Sequence, residues 1–446
     1  MIIGDRLAAG FFDEGQMTTY SREAVEELSN KYDEPAWMCE FRLRAWEAYQ
    51  AMPSPTTEDE AWRRTDLRRL KLDEIGPSLN GNSSGVVVPA YLGEQLTQDK
   101  TGGSLLQVDG ITTRYELGDE LSSQGVIFCD MEAAIRDHGD LVRQYFMTQA
   151  VPIEEGKFAA LHGAFWRGGT FLYVPRGVKA AAPLHSALWS VGGKTYTHTL
   201  IVLEQGAEAL LIDEYASETT QIPALHNGVV ELIVGDEASL TYVSLQDFGM
   251  NLWQINHERA RIGRDAKLDW VISVMGSRLT KAFQTVELDG RGSWARMSGL
   301  FLGDKRQHFD LDTQQNHNAP DSVSDLLYKG ALKDNARSVW QGMIKALPHA
   351  QRIDGFQANR NLLLAKTARA DSIPGLEIEA DDVRCTHAST IGQIDPLEVF
   401  YLMSRGIPRE TAVQMVVEGF FTPVMERIPV DGVKERIASR ILEKVG

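Results

Sequence analysis

The sequence predicts a mainly β protein whose core is a right-handed β-helix, a solenoid of stacked turns, with helical domains at both ends. Three observations support this fold class. Between about residues 170 and 390, short β-favouring runs such as THTLIVLE and GVVELIV recur. Glycine turns separate several of these runs at a nearly constant spacing. Before and after this region, the apolar residues follow helical spacing instead.

The change in pattern divides the chain into three predicted domains. Residues 1–155 form an N-terminal helical region with a linker and short strands, residues 156–392 form the β-helix core, and residues 393–446 form a C-terminal helical domain. In the first of these, Ser21 is a predicted N-cap, and the run EPAWMCEFRLRAWEAYQAM has apolar residues at helical spacing. Residues 76–110 are rich in Gly, Ser and Asn, which is typical of a linker around short strands.

The repeat in the core is carried by four glycines in turns, with gaps of 29, 28 and 27 residues: Gly206, Gly235, Gly263 and Gly290. A small-residue turn that returns at such a period is typical of a stacked coil, here of about eight turns. The turns have no helix-length insert, which disfavours a leucine-rich or βαβ solenoid. A β-sandwich of long hairpins remains the alternative. A β-helix would have two exposed edges at which another chain could pair.

The C-terminal domain is predicted to be helical from Asp395, an N-cap, and Pro396, at the first helical position. The following run has an apolar stripe at i, i+3, i+4, i+7, i+8 and i+11, formed by Val413, Val416, Val417, Phe420, Phe421 and Val424. Pro423 is expected to end or kink this helix. The stripe fits either packing onto the end of the coil or docking of a partner, and both interpretations stay open.

Composition excludes several classes of function. The 446 residues carry a formal net charge of -17, which argues against a nucleic-acid groove or a membrane-surface binder, because both rely on excess Lys and Arg. Three dispersed cysteines form neither a disulfide framework nor a self-contained metal motif, and they suit a reducing compartment. No signal peptide or membrane-spanning segment is evident. We therefore expect a soluble cytoplasmic protein with protein partners.

The sequence also lacks the motifs of a self-sufficient enzyme, including a phosphate loop, a GxSxG elbow and an HExxH pair. His308 and His317, with Asp310 and Asp312, fit a metal cluster, but polar positions on an outward face of the coil are the favoured interpretation. A polysaccharide-acting β-helix enzyme is disfavoured because most of these are secreted. The chain is therefore predicted to be non-catalytic.

Cys385 and His387 form the strongest candidate site. They lie two positions apart in a predicted strand, so their side chains point to the same face, ~7 Å apart along the chain. Thiolate and imidazole are good ligands for soft or borderline metals. A closed zinc or iron–sulfur site takes about four protein ligands. The pair is therefore at most half of a site, and the missing ligands must come from elsewhere.

Several long segments resemble a known family. They are YVPRGVKAAAPLHS (173–186), SDLLYKGALKDNARSVWQGMI (324–344), FQANRNLLLAKTARADSIPGLEIEADDVRCTHASTIGQID (356–395) and FYLMSRGI (400–407). These segments resemble the SufB/SufD family, the scaffold subunits of the SUF iron–sulfur cluster assembly machinery. The resemblance extends to THTLIVLEQGAEALLIDEY (197–215) and to residues 34–70, and so covers most of the chain.

Within this family the sequence resembles the SufD branch more than the SufB branch. SufB-type chains have a sulfur-receiving cysteine where this chain has Tyr215, and a proposed ligand cysteine near Ala370. The segment VRCTHAST also resembles the SufD form. A SufB-type scaffold is the alternative.

The resemblance implies partners and a cargo, but no intrinsic cofactor. It implies pairing with a SufB-like scaffold through the β-helix ends, with His387, assisted by Cys385, contributing to a transient iron or nascent iron–sulfur cluster site at the interface. It further implies that residues 396–424 dock the SufC ABC-type ATPase, which supplies ATP hydrolysis. Two isolated copies of the chain could also pair through the same edge.

Overall fold

The computed structural model describes residues 20–77, 85–93 and 101–446. Within them the chain forms two large sheets, A and B, that enclose a common apolar core. The strands, in chain order, are β1 (Gly103–Val108), β2 (Ile111–Leu117), β3 (Ile127–Asp130), β4 (Thr170–Val174), β5 (Leu184–Ser190), β6 (Lys194–Thr195), β7 (His198–Leu203), β8 (Glu208–Ser217), β9 (Ala224–Val234), β10 (Ser239–Asp247), β11 (Leu252–Ile262), β12 (Lys267–Val274), β13 (Leu279–Leu288), β14 (Trp294–Gly303), β15 (His308–His317), β16 (Val323–Leu332), β17 (Arg337–Ala346), β18 (Ile353–Leu363), β19 (Arg369–Ile378) and β20 (Val383–Gln393).

The strand order confirms a solenoid. Sheet A has the order β2-β1-β5-β8-β10-β12-β14-β16-β18-β20, and sheet B has the order β19-β17-β15-β13-β11-β9-β7-β4-β3 with β6 beside β9. From β7 onward the chain alternates between the sheets, and strands one turn apart pair in parallel. Hairpins would pair neighbouring strands antiparallel. The β-sandwich alternative is therefore wrong for the core.

One corner of the solenoid repeats at every turn from sheet B to sheet A. In six consecutive turns this corner contains one residue with positive φ, and only two of the six are glycines. The six residues are Gly206, Glu237, Asp265, Gly292, Asp321 and Arg352. The N–H of each donates to a carbonyl on the following turn, as Gly206 does to Asp236 at 2.8 Å. This inter-turn hydrogen bond is backbone only, so the corner recurs although its side chains differ.

Three of the four glycines that predicted the repeat form a column. A Cβ on Gly290 would lie 2.2 Å from the carbonyl carbon of Gly263, and one on Gly263 would lie 3.0 Å from that of Gly235. Successive turns approach so closely here that no side chain fits. Gly206 is not part of this column, because it occupies the positive-φ corner instead.

The helices lie outside the two sheets. They are α1 (Arg22–Lys31), α2 (Ala36–Ala51), α3 (Leu72–Ile75), α4 (Ala90–Gly93), α5 (Asp119–Ser123), α6 (Met131–Val142), α7 (Lys157–Phe165), α8 (Pro396–Ser404), α9 (Arg409–Met425) and α10 (Asp431–Val445), with short 3₁₀ turns at Glu60–Trp62 and Ile153–Glu155. None of the described helices combines the length and apolar composition needed to cross a membrane.

The Gly290 column gives a stability prediction. We expect Gly290→Ala to lower the free energy of unfolding by at least about 2–3 kcal/mol, because the new methyl group would lie 2.0 Å from the backbone nitrogen of Arg264. Gly419→Ala in α9 is the matched control, since nothing lies within 4 Å of its Cβ position. That change should stabilise by roughly 0.5–1 kcal/mol through helix propensity. Urea unfolding of both variants measures this; equal midpoints would contradict the prediction.

The N-terminal helices form a layer on the outer face of sheet B. Adjacent strand residues alternate between the two sides of the sheet, so Val230 faces the core while Val229 packs in the helical cluster. The predicted N-cap is confirmed, because the Ser21 hydroxyl accepts a hydrogen bond from Ala24 N at 3.1 Å.

Strands β1 and β3, placed by sequence in the first domain, pair with the sheets, and α7 packs with the N-terminal helices. The domain boundaries stay a prediction.

The C-terminal helices form a second layer, on the outer face of sheet A. Val417, Phe421 and Val424 of the apolar stripe are buried there against residues that include Leu300 and Ala331. Packing onto the end of the coil is therefore wrong: the helices lie along the side of the coil. Asp395 is confirmed as an N-cap through Leu397 N, at 2.8 Å, and Pro423 lies inside α9.

A series of ion pairs that was not predicted from the sequence holds α10 against sheet A. Basic residues at i, i+4 and i+8 of the helix pair with acids from different turns of the coil. The pairs are Arg436 with Glu214, Arg440 with Asp247 at 2.9 Å and Lys444 with Asp304 at 3.0 Å. The spacing of basic residues at i, i+4 and i+8 within residues 431–445 is the sequence pattern that could have predicted these pairs.

Candidate functional site

The last turn of the solenoid is formed by β19 and β20, which are the terminal strands of sheets B and A. β19 pairs with β17 and β20 with β18, and within the described part of the chain the outer edges of both have no strand partner. These edges are 10 and 11 residues long. Long unpaired edges offer backbone N–H and C=O groups for pairing with another chain.

Cys385 and His387 both lie on β20, as predicted. In the parallel register Cys385 is opposite Gly355 and His387 is opposite Gln357. Cys385 Sγ lies over Gly355, where a Cβ would just contact the sulfur, at 3.4 Å. His387 is exposed, whereas Cys385 is half-buried beside Ala346 and Ile353.

The two side chains differ in how easily they can coordinate a metal ion. Burial raises the pKa of the Cys385 thiol, which disfavours the thiolate needed for coordination. Histidine binds metal ions through a ring nitrogen, so His387 does not depend on forming a thiolate, and its side chain is exposed. Among the described residues no group of three or more His, Cys, Asp and Glu side chains could hold a metal ion. The pair therefore remains half of a site, and the other ligands would have to be contributed across the open edge.

The second sequence candidate is not a metal cluster. His308, Asp310 and Asp312 lie on the outer face of sheet B, and both carboxylates accept hydrogen bonds from the buried Lys281 ammonium, at 3.0 and 2.7 Å. Trp62 covers this charged group. An outward position is thus confirmed for these three side chains.

His317 was wrongly grouped with them. It is fully buried, and its ring nitrogens lie 2.7 and 2.9 Å from the hydroxyls of Ser322 and Ser324. His308 and His317 are nine positions apart on one strand, an odd number, so they point to opposite faces.

Tyr215, which stands where the resemblance places a cysteine in SufB-type chains, is closed off from solvent in this structure. Tyr215 is buried, and its hydroxyl donates to the Asp213 carboxylate at 2.6 Å. Thr199 and Tyr242 also donate to that carboxylate, at 2.9 and 3.0 Å. Burial raises the pKa of Tyr215 well above its usual value, so it offers no nucleophile near neutral pH.

Helix α8, next along the chain after β20, exposes an apolar surface. Leu397 is 73% exposed, Phe400 66% and Tyr401 57%, and Met403 is also exposed. Contiguous exposed apolar side chains of this kind mark surfaces that bind other proteins. The neighbouring α9 buries much of its own stripe, so α8 is the part of 396–424 that is available to a partner.

Buried histidines make the fold sensitive to acid. Burial lowers the pKa of His198, His226 and His257 to about 3 and of His308 and His317 to about 4, and it lowers the pKa of His162 as well. These groups take up protons on unfolding once the pH falls below about 6.5. Buried carboxyls act in the opposite sense. Burial raises the pKa of Glu231 to about 7 and of Asp312 to about 6, and it also raises the pKa of four further carboxyls, those of Asp109, Glu132, Asp213 and Glu258.

Of these carboxyls Glu231 and Asp312 are shifted most, and the six histidines outweigh them, so more protons are bound in the unfolded state between pH 7 and about 5.5. We therefore expect the free energy of unfolding to fall as the pH is lowered through this range. Urea midpoints at pH 7.5, 6.5 and 5.5 measure the effect. A midpoint that stays constant or rises on acidification would contradict it.

Comparison with known proteins identifies the family. A model of the SUF-system SufBD core domain matches residues 189–420, and a model of the SufBD N-terminal region matches residues 16–185. The chain belongs to the SufBD family of iron–sulfur cluster assembly proteins. It is 34% identical to an iron–sulfur cluster assembly protein SufD of Bacillus subtilis, over 97% of this chain and 99% of the relative.

Other SufBD relatives match less strongly. A SufB of Bacillus subtilis is 29% identical over 92% of this chain and 90% of the relative. A SufBD family protein of Staphylococcus saprophyticus is 30% identical over 91% of this chain and 89% of the relative. The two Bacillus subtilis comparisons agree with the predicted resemblance to the SufD branch.

Proposed function

We propose that this chain is a SufD-type scaffold subunit that acts in the cytoplasm, pairs with a SufB-like chain and docks a SufC-type ABC ATPase. One observation carries the proposal: the uncovered last turn of the solenoid holds two metal-ligating side chains that do not complete a site alone. A partner with the same fold could extend the exposed edges and contribute the remaining ligands.

In this proposal the chain performs no chemistry of its own. His387, with Cys385 beside it, would bind transient iron or a nascent cluster as cargo, and the chain would hold no resident cofactor. Imidazole can replace thiolate on an iron of such a cluster. The partner ATPase would hydrolyse ATP, and its docking site would be the exposed apolar surface of α8.

The test is an anaerobic pull-down of the tagged chain from its native cytosol, with mass spectrometry of the co-purifying chains. We expect a SufB-like chain and an ABC-type ATPase. Phe400→Glu should remove the ATPase and retain the SufB-like chain, because a charge in an apolar contact loses its hydration. Recovery of this chain alone, or as a homodimer, from cells that express both candidates would contradict the proposal.

A further inference from the structure

We propose that a second, unassigned site on this chain binds a small phosphorylated molecule. The site is a cleft of about 490 Å³ on the outer face of sheet B whose lining includes neither Cys385 nor His387, and we call it the arginine cleft. Its lining is formed by Arg64, Asp66, Arg68, Arg69, Leu279, His308 and Arg337. The volume lies within the roughly 300–1,000 Å³ typical of small-molecule sites.

One wall of the arginine cleft is the segment from Glu60 to Leu70, a 3₁₀ turn followed by further turns, which is fixed to the sheet at two points. Trp62 is buried and packs against Phe158 and Phe283, with ring centroids 5.6 Å away in both cases. Thr65 is also buried, and its hydroxyl donates to the Asp310 carboxylate. The arginines that follow these anchors therefore start from a fixed backbone, which reduces the entropy cost of binding.

The floor of the cleft is a column across three strands of sheet B. Leu279, His308 and Arg337 are direct neighbours in the parallel register. Arg337 donates through Nη2 to Asp371 at 3.1 Å, while its buried Nε has no hydrogen-bond acceptor among the described residues. A buried guanidinium N–H without an acceptor is costly, and a shift of the Arg337 side chain that brought Nε to a bound oxyanion would remove that cost.

The lining of the arginine cleft is positively charged, whereas the chain as a whole is negatively charged. Four arginines line it against one aspartate, in a protein of net charge -17. Asp66 pairs with Arg68 at 2.6 Å and Asp371 pairs with Arg337 at 3.1 Å, so Arg64 and Arg69 are the least compensated of the four guanidinium groups. Arg64 lies 3.9 Å from Glu60, and Arg69 forms no ion pair within the described part of the chain. Guanidinium groups bind phosphate through paired hydrogen bonds, which favours a phosphate ligand.

Isothermal titration of the whole chain with inorganic pyrophosphate, at an ionic strength of about 20 mM to limit screening, tests the proposal. We expect saturable binding that Arg64→Glu combined with Arg69→Glu weakens at least about tenfold. The control combines Arg176→Glu with Arg409→Glu, two exposed arginines outside the cleft, and changes the net charge equally. It should bind as the unmodified chain does.

Two outcomes would overturn the arginine cleft as a ligand site. One is the absence of saturable pyrophosphate binding, and the other is an equal loss of affinity in both double variants, which would show a general effect of net charge. A parallel titration with adenosine diphosphate separates the ligand sources. Tighter binding than pyrophosphate means that the cleft also contacts a nucleoside, and equal binding means that it recognises the phosphates alone.

Discussion

Replacing Arg42 by alanine is expected to lower the free energy of unfolding by about 3–5 kcal/mol, the usual cost of removing one partner from a buried ion pair. The Arg42 side chain is almost fully buried in α2 and donates to both carboxylate oxygens of Glu34, at 2.6 and 2.8 Å. It also donates to the carbonyl oxygens of Ala164 and Trp166, at 3.1 and 3.0 Å, and lies 4.6 Å from the Trp166 ring centroid. Alanine would leave a buried carboxylate and two carbonyls without these donors.

The matched control for Arg42→Ala is Arg22→Ala, because Arg22 also pairs with a glutamate but is half-exposed. An exposed pair of this kind contributes at most about 1 kcal/mol. Replacing both buried partners, with Arg42→Met and Glu34→Leu together, should recover much of the loss, because it leaves no unpaired charge. Urea unfolding of the four proteins measures these differences. A loss for Arg42→Ala no larger than for Arg22→Ala would show that the buried pair does not anchor the helical layer.

The architecture was predictable because it depends on local patterns that repeat. The near-constant spacing of Gly235, Gly263 and Gly290 reports a physical contact, the close approach of successive turns. The N-caps Ser21 and Asp395 depend only on residues within the same helix turn, and both are confirmed. Local chemistry of this kind can be read without knowledge of the rest of the fold.

The placement of the layers was not predictable in the same way. The sequence does not show that the C-terminal helices lie along sheet A, because the contacts of Val417 with the sheet join residues far apart in the chain. Nor does it show that Arg42 is buried, since arginine is usually exposed. The opposite orientation of His308 and His317 could have been deduced, because their odd spacing in one strand decides it.

The candidate site was predictable in part. Alternation along a strand places Cys385 and His387 on one face, and the change to helical spacing after residue 392 places them in the last turn of the coil. The strand order confirms that β20 is the terminal strand of its sheet. The structure also shows that the two residues differ in their surroundings, since burial raises the pKa of the Cys385 thiol while the His387 side chain is exposed. This difference predicts that replacing His387 lowers the cluster yield more than replacing Cys385 does.

We expect His387→Ala to abolish cluster assembly by the complex and to leave complex formation intact. The side chain is exposed on the terminal strand, so its removal deletes the proposed ligand without creating a cavity in the core. Cys385→Ser is expected to reduce the yield less, because burial disfavours the thiolate that coordination requires. Anaerobic reconstitution with iron and sulfide, followed by absorption spectroscopy of the purified complex, measures cluster yield, and size-exclusion chromatography measures assembly.

The comparison of these two variants separates a ligand from a structural residue. Loss of cluster with an intact complex in His387→Ala alone would assign the cargo contact to the imidazole. Equal losses in both variants would make the half-buried thiol a ligand as well, which requires partner binding to offset the cost of forming a thiolate. A normal cluster yield in His387→Ala would contradict the ligand role, and the open edge of β20 would then serve only to pair the two scaffolds.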